Sequence, residues 1–93
     1  LVSVDLSRNT ITTLAGLGPT ALPNLVHLSL YFNRVGLANE VLHLVGHSCL
    51  ETLDMRLNPV TRMGGWRNLV LARLPRLKTL DDAPVDAASV EAA

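Results

Sequence analysis

The segment LETLDMRLNPV, residues 50–60, carries a pattern that recurs along the chain: LxxLxLxxNxV, with Val, Ile or Met replacing Leu at some positions. The segments LVSVDLSRNTI (1–11) and LVHLSLYFNRV (25–35) repeat it, and LKTLDDAPV (77–85) keeps its first half without the asparagine. The four segments begin at residues 1, 25, 50 and 77, in steps of 24, 25 and 27 residues. A period of this size indicates one structural unit repeated along the chain.

This period and pattern are typical of leucine-rich repeats. They predict an α/β leucine-rich-repeat solenoid, with a curved parallel sheet on the concave side, short helices and turns on the convex side, and a C-terminal cap. Within each unit the short strand alternates its side chains between the two faces, so one set fills a continuous core. The inward-facing residues are predicted to be Val4, Leu6, Leu28, Leu30, Leu53 and Met55.

The recurring asparagine follows each strand, at the point where the chain turns away from the sheet. A short side-chain amide there can bond backbone groups that the turn leaves unpaired. We therefore expect Asn9, Asn33 and Asn58 to stack as an internal ladder with a structural role and no role in binding.

Length and composition favour a single domain over residues 1–93, with repeats starting near 1, 25 and 50 and a capping unit near 77. Hydrophobic residues make up 48% of the chain and aromatic residues only 3%, which suits thin layers of aliphatic side chains. Because Leu1 opens inside a repeat with no polar cap, we expect a piece of a longer protein, or a partner over the first unit. The single Cys49 and the absence of a signal peptide favour a reducing compartment: cytosol, nucleus or cytoskeleton.

The second return segment contains two histidines and the cysteine. Asn39 is predicted to cap a helix that ends near Gly46 and carries His43, with His47 four residues further on and Cys49 just beyond. Such a set could bind zinc. The chain has no HExxH motif and no second cysteine, so we expect no metal, two solvent-facing histidines and a small buried thiol.

The third return segment leads into the predicted cap. After Pro59 and a joint at Gly64-Gly65, apolar residues at helical spacing predict a helix over 66–74 that Pro75 ends. Trp66 begins its apolar face and is expected to fill the core rather than to present a ligand platform. The alanine-rich tail, 86–93, could form a further short helix.

These cap residues resemble a known family, the short intracellular leucine-rich-repeat proteins related to the phosphatase regulator Sds-twenty-two. That group includes the spliceosomal U2 A-prime protein and axonemal dynein light chain one. The resemblance rests on Asn-Pro, an aromatic-Arg pair, an apolar helix, Leu-Pro and a closing LxxLD, which here are Asn58-Pro59, Trp66-Arg67, Leu69 and Val70, Leu74-Pro75, and Leu77, Leu80 and Asp81.

A narrower resemblance points to one branch of these proteins. LDMRLNPV and LDDAPV, with LVSVDLSRN and LYFNRV, are similar to segments of the family of the centrosomal seventy-two-kilodalton protein and its leucine-rich-repeat relatives. The resemblance implies a scaffold that recruits proteins to a microtubule-organising structure and performs no catalysis.

The residues that flank the inward leucines would face the concave side. Since Tyr and Arg are frequent at interface hot spots, a strip of Asp residues with a central Tyr and Arg favours protein recognition over an ordinary solvated sheet face. Phe32 and Leu57 would extend the patch if exposed, and would otherwise pack onto neighbouring turns. The candidate protein-binding residues are Asp5, His27, Tyr31, Asp54, Arg56 and Asp81, within the columns Ser3/His27/Thr52/Thr79, Asp5/Ser29/Asp54/Asp81 and Ser7/Tyr31/Arg56.

The chain has no net charge, but its basic residues are concentrated in the cap region, between Met55 and Leu80. Arg62, Arg67, Arg73 and Arg76 could meet tubulin tails, another acidic surface or RNA phosphate. Alternatively, these arginines lie on the solvent-facing side of the last helix and pair with the acidic tail.

Two functions follow from these patterns. The first is an adaptor at a centrosome, basal body or axoneme that binds proteins through the concave face. The alternative is a nuclear ribonucleoprotein component resembling the U2 A-prime protein. An enzyme is disfavoured, because no glycine-rich phosphate loop or nucleophile–base arrangement appears. We expect no cofactor, no membrane segment and no small-molecule substrate.

Overall fold

A computed structural model describes residues 2–81 and 83–84 of the chain. Its strands form one five-stranded sheet in which neighbours in the chain are neighbours in space. The first four strands pair in parallel, and the fifth returns antiparallel to the fourth. In chain order the strands are β1 (Val2–Asp5), β2 (Leu25–Ser29), β3 (Thr52–Asp54), β4 (Thr79–Leu80) and β5 (Ala83–Pro84).

Each parallel pair of strands is joined by a return segment on the other side of the core. Each of the three return segments contains a short 3₁₀ helix, and the third also contains the helix α1, Trp66–Arg73. The 3₁₀ helices span Ala15–Leu17, Ala38–Leu44 and Pro59–Arg62. This is the leucine-rich-repeat solenoid that the sequence pattern predicts. No helix in the described part is long and apolar enough to cross a membrane.

The core lies between the sheet and the return segments. Leu28, Leu30, Leu53 and Met55 are each at most 1% exposed, so the predicted inward face is confirmed for β2 and β3. Val4 and Leu6 of the first unit are only partly buried, because β1 pairs with a described strand on one side alone. α1 closes the core at the other end with Trp66, Val70 and Leu71.

The return segments differ from the prediction in one helix. We expected Asn39 to cap a helix, but the helix found there, Ala38–Leu44, is a 3₁₀ helix that begins before Asn39, is preceded by extended Leu37 and has no side-chain cap. A 3₁₀ helix rises about 2.0 Å per residue against about 1.5 Å for an α-helix, so it spans the back of a thin layer with fewer residues. The predicted last helix is confirmed, begins after Gly65 in the left-handed region (φ 80°) and ends before Pro75. The tail over 86–93 lies outside the described residues.

Buried asparagine amides connect successive turns. Asn58 is 2% exposed, and its Nδ2 donates to the Met55 carbonyl of its own turn at 2.9 Å and to the Leu30 carbonyl of the preceding unit at 2.8 Å. Its Oδ1 accepts the backbone N–H of Val35 at 3.1 Å. One side chain therefore satisfies backbone groups of two adjacent units, which a hydrocarbon at this position could not do.

The other two asparagines occupy the same position in their units. Asn33 is buried and bridges back to the Leu6 carbonyl at 3.0 Å and to the Ile11 N–H at 3.1 Å. Asn9 is exposed, and within the described residues its side chain bonds carbonyls of its own turn alone, Leu6 at 2.8 Å and Ser7 at 3.2 Å. The inter-unit bridges thus run through Asn33 and Asn58, because no described unit lies on the outer side of β1.

This difference gives a stability prediction. Asn58→Ala leaves the Val35 N–H and two carbonyls buried without their partner, and we expect it to lower the free energy of unfolding by about 2–3 kcal/mol. The matched change Asn9→Ala, at an exposed position, should cost less than about 1 kcal/mol. Urea unfolding followed by circular dichroism measures both, and equal losses for the two variants would contradict the bridging role of Asn58.

Candidate functional site

The strand register sets the concave face. Ser3 pairs with His27, His27 with Thr52, and Thr52 with Thr79, while Asp5, Ser29 and Asp54 form the next column. These columns are the ones that the sequence pattern predicts.

The parallel ladder continues past the ends of the strands. Arg8 N–H donates to the Tyr31 carbonyl at 2.8 Å, and Phe32 N–H donates to the Arg56 carbonyl at 2.9 Å. These bonds align the backbones of Ser7, Tyr31 and Arg56 as a third column.

Tyr31, Asp54 and Arg56 form one cluster at the end of this face. Arg56 binds Asp54 through two donors, with Nη2 at 2.8 Å from Oδ2 and Nε at 3.0 Å from Oδ1. The same guanidinium lies over the Tyr31 ring, 5.1 Å from its centroid, in a cation–π contact that joins neighbouring units. Burial opposes ionisation of Asp54, but the hydrogen bonds and charge of Arg56 prevail and lower its pKa. The three side chains are therefore held in a defined arrangement.

Asp5 repeats part of this arrangement in the first unit. Its Oδ1 accepts the backbone N–H of Ser7 at 2.9 Å, as Asp54 accepts that of Arg56 at 3.0 Å. Hydrogen bonds from the Ser7 side chain and backbone lower the pKa of Asp5. The carboxylate is exposed and ionised at neutral pH, and it gives this side of the concave face a negative charge.

Asp81 was predicted to continue the Asp5, Ser29 and Asp54 column, but its carboxylate makes a different hydrogen bond. Its backbone is left-handed (φ 53°), and its Oδ1 accepts the Met55 N–H at 2.6 Å. In the preceding rungs the equivalent N–H groups of Leu6 and Leu30 bond the backbone carbonyls of Ser29 and Asp54. A side-chain carboxylate thus replaces a backbone acceptor where the chain turns into β5. Among the predicted binding residues that the structure describes, Asp81 is the one whose carboxylate accepts a backbone N–H from a neighbouring unit.

The surroundings of Asp81 disfavour its charge. Partial burial raises its pKa above the usual 3.8, against the opposing effects of the Met55 N–H and the Trp66 indole. Trp66 is 5% exposed, and its Nε1 is the buried side-chain polar atom of the described residues that has no partner in normal hydrogen-bond geometry. We therefore assign the main stabilising bond of this carboxylate to Met55.

Phe32 and Leu57 are exposed beside the cluster. Both have left-handed backbones, φ 58° and 60°, and are 55% and 57% exposed. Arg8 takes the same conformation (φ 61°) in the first unit. The structure thus favours the alternative in which these apolar side chains extend the concave patch over that in which they pack onto neighbouring turns.

His43 faces solvent as predicted, but His47 and Cys49 are not arranged as predicted. His47 is buried, and its Nε2 lies 2.7 Å from the Leu17 carbonyl, whereas we expected it to face solvent. Cys49 is exposed, whereas we expected a buried thiol. The loop before β3 turns His47 inward to bond the neighbouring return segment and leaves Cys49 outside. His43 is exposed and lies 3.8 Å from Glu40. Within residues 2–81 and 83–84, no group of three or more His, Cys, Asp or Glu side chains could hold a metal.

The four predicted basic contacts are divided between the two ends of α1. Arg62 ends the third 3₁₀ helix, and Arg67 donates to the Pro84 carbonyl at 3.3 Å. Arg73 and Arg76 lie at the other end of α1, beside a groove between the turns that enter β3 and β4. Sequence reasoning missed this groove, because it is formed by loops from two different units and no short motif marks it.

The structure predicts how stability responds to the charge of Asp81. Because folding raises the pKa of Asp81, the ionised carboxyl opposes folding, and its contribution becomes less favourable as pH rises through the raised pKa. Asp81→Asn keeps an acceptor for Met55 and removes the charge, so its melting temperature should exceed that of the wild type at pH 7 and approach it toward pH 4.

Thermal unfolding over this pH range tests the prediction, with Asp81→Ala as the matched control. Removal of the acceptor should make the alanine variant less stable than the asparagine variant at every pH. A constant difference between wild type and Asp81→Asn across the range would contradict the prediction.

Comparison with known proteins identifies relatives with the same repeat. No model of a known protein family matches the chain. Over 86 residues, 91% of this chain, it is 41% identical to the centrosomal protein of 72 kDa of Mus musculus. Over the same number of residues it is 42% identical to leucine-rich repeat-containing protein 36 of Mus musculus. The chain spans only 13% and 11% of the lengths of these two relatives.

Solved structures share the fold. One is the SNF/U2A′ complex of Drosophila melanogaster, with a TM-score of 0.79 and 24% identity, where the match covers 97% of this chain and 64% of the other. Another is the Chaetomium Mex67:Mtr2 structure, with a TM-score of 0.81 and 25% identity, covering 97% of this chain and 59% of the other. The similarity at this level of identity shows the architecture alone.

Proposed function

We propose that this chain, a leucine-rich-repeat domain related in sequence to a centrosomal protein, is a non-catalytic module that binds protein partners through its concave face. The observation that carries the proposal is the Tyr31–Arg56–Asp54 cluster with Phe32 and Leu57 exposed beside it. Aromatic and Arg side chains held rigidly next to exposed apolar surface are the usual components of an interface hot spot. Two complexes among the structural neighbours, SNF/U2A′ and Mex67:Mtr2, are consistent with protein binding by this fold.

The arrangement of the cluster suits recognition of a mixed apolar and polar segment. Arg56 binds Asp54 and lies over the Tyr31 ring, and its side chain is still 45% exposed, so the cluster presents both a charged group and an aromatic group at the surface. Because these side chains are already fixed by contacts across two units, a partner loses little of its binding energy to ordering them. Phe32 and Leu57 would supply the apolar contact area.

For the cellular setting we propose a centrosome, basal body or axoneme. The support is the 41% identity to the centrosomal protein of 72 kDa, together with the resemblance of the LDMRLNPV and LDDAPV segments. We also propose that residues 1–93 form a single domain.

The alternative is a nuclear ribonucleoprotein component. It is supported by the structural similarity to the SNF/U2A′ complex, at a TM-score of 0.79 but only 24% identity. The centrosomal relative is more similar in sequence, so we favour the first setting.

The concave face is tested by the double variant Tyr31→Ala/Arg56→Glu. It removes the stacking surface and reverses the charge at the centre of the cluster, and we expect at least about a tenfold loss of partner capture, since a hot-spot residue contributes about 2 kcal/mol or more. The measurement is affinity capture of tagged protein from cell extract, with captured proteins quantified by mass spectrometry.

The matched control is Leu42→Ala/Arg62→Glu, which makes an apolar truncation and a charge reversal at exposed residues outside the concave face. It should capture the same proteins as the wild type. If circular dichroism shows that the concave double variant is folded, and it captures the same partners as the control, the proposal that partners bind the concave face is wrong.

Localisation separates the two cellular settings. Fluorescence imaging of a tagged protein containing this chain should show a focus that overlaps a centrosomal marker, and the concave double variant should lose this focus at equal expression. Nuclear signal together with co-purified small nuclear RNA would instead support the ribonucleoprotein alternative and contradict the centrosomal proposal.

A further inference from the structure

A groove of about 550 Å³ lies between the turn that enters β3 and the turn that enters β4. Its floor contains Leu50 and Leu77, which are 3% and 4% exposed. Val45, 46% exposed, on the second return segment, and Ala72, on α1, also line the groove. A volume between about 300 and 1,000 Å³ with a mostly apolar lining is typical of ligand sites.

Two arginines give the groove its charge. Both Arg73 and Arg76 line it and are exposed, and no acidic side chain lines it among the described residues. Arg76 donates only to the Ser48 carbonyl, at 3.3 Å, and neither arginine has a carboxylate partner in the described part of the chain. Arg56 on the concave face, in contrast, is bound to Asp54. Among residues 2–81 and 83–84, the groove therefore combines two arginines that have no carboxylate partner with apolar surface.

This combination defines the chemistry of its occupant. An RNA backbone would be held by a row of cations and would gain little from an apolar floor. A peptide that carries carboxylates beside a branched aliphatic side chain matches both features, because Arg binds carboxylates strongly and the aliphatic group covers the leucine floor.

We propose that this groove is a second docking site, which binds an acidic segment of a protein partner through a leucine-like side chain on the floor and carboxylates at Arg73 and Arg76. The groove lies at the end of the sheet where the strands begin, whereas the Tyr31–Arg56–Asp54 cluster lies past the ends of β2 and β3. The two sites are separate, so both can be occupied at once. The site gives Arg73 and Arg76 a role as carboxylate contacts that does not depend on Arg62 and Arg67.

Fluorescence anisotropy with a labelled peptide tests the site. The probe is a ten-residue peptide with two leucines among glutamates, and its two matched controls replace the leucines by serine or the glutamates by glutamine. We expect the probe to bind, each control peptide to bind about tenfold more weakly or worse, and binding of the probe to weaken as salt is raised.

Variants locate the binding. Arg73→Glu/Arg76→Glu should weaken probe binding by about tenfold or more, while Arg62→Glu, a charge reversal at an exposed residue away from the groove, should leave it unchanged. Ala72→Phe places a ring in the groove without changing charge and should also weaken binding. Tyr31→Ala/Arg56→Glu should retain it, so that failure at one site is distinguished from failure at the other.

Several outcomes would overturn the proposal. One is equal affinity for the three peptides, and another is unchanged binding by a folded Arg73→Glu/Arg76→Glu variant or a folded Ala72→Phe variant. Binding of a ten-nucleotide uridine RNA at least as tight as that of the probe would assign the charge to nucleic acid instead. Circular dichroism establishes that each variant is folded.

Discussion

The structure depends on how the backbone is satisfied where each strand ends. After the strand the chain passes through one residue in the left-handed region and then turns away from the sheet, which leaves carbonyls of that turn without partners in the ladder. A buried amide, Asn33 or Asn58, bonds carbonyls in its own unit and in the unit before it and accepts an N–H from the preceding return segment. Hydrophobic packing fills the layers, but these amides determine how one layer is placed on the next.

This constraint also places the candidate binding residues. The residue just before each asparagine must adopt the left-handed conformation, and in the second and third units that residue is Phe32 or Leu57. Left-handed geometry is uncommon for such residues and costs free energy. The hydrogen bonds to the neighbouring units offset this cost. The side chain is directed out of the core as a result. The exposed apolar patch next to Tyr31 and Arg56 therefore follows from the same turn that holds the layers together.

Much of this could be predicted from the sequence, because the repeat is a local pattern. The inward leucines, the strand columns and the helix that begins at Trp66 all follow from periodicity that a single unit already contains. The burial of His47 and the exposure of Cys49 could not be predicted in this way, since they depend on which carbonyl a loop meets in the neighbouring unit. The same holds for the carboxylate of Asp81 that replaces a backbone acceptor, and for the groove between two loops.

The return segments are where this architecture accommodates differences in length and secondary structure between its units. The three return segments between the parallel strands contain different helices, and the spacing of the units varies from 24 to 27 residues while the columns that begin at Ser3 stay aligned. Insertions and deletions can therefore accumulate at the back of the solenoid without shifting the amide positions at the front. Divergence of such domains should appear as length variation behind the sheet and as residue substitution on its concave face.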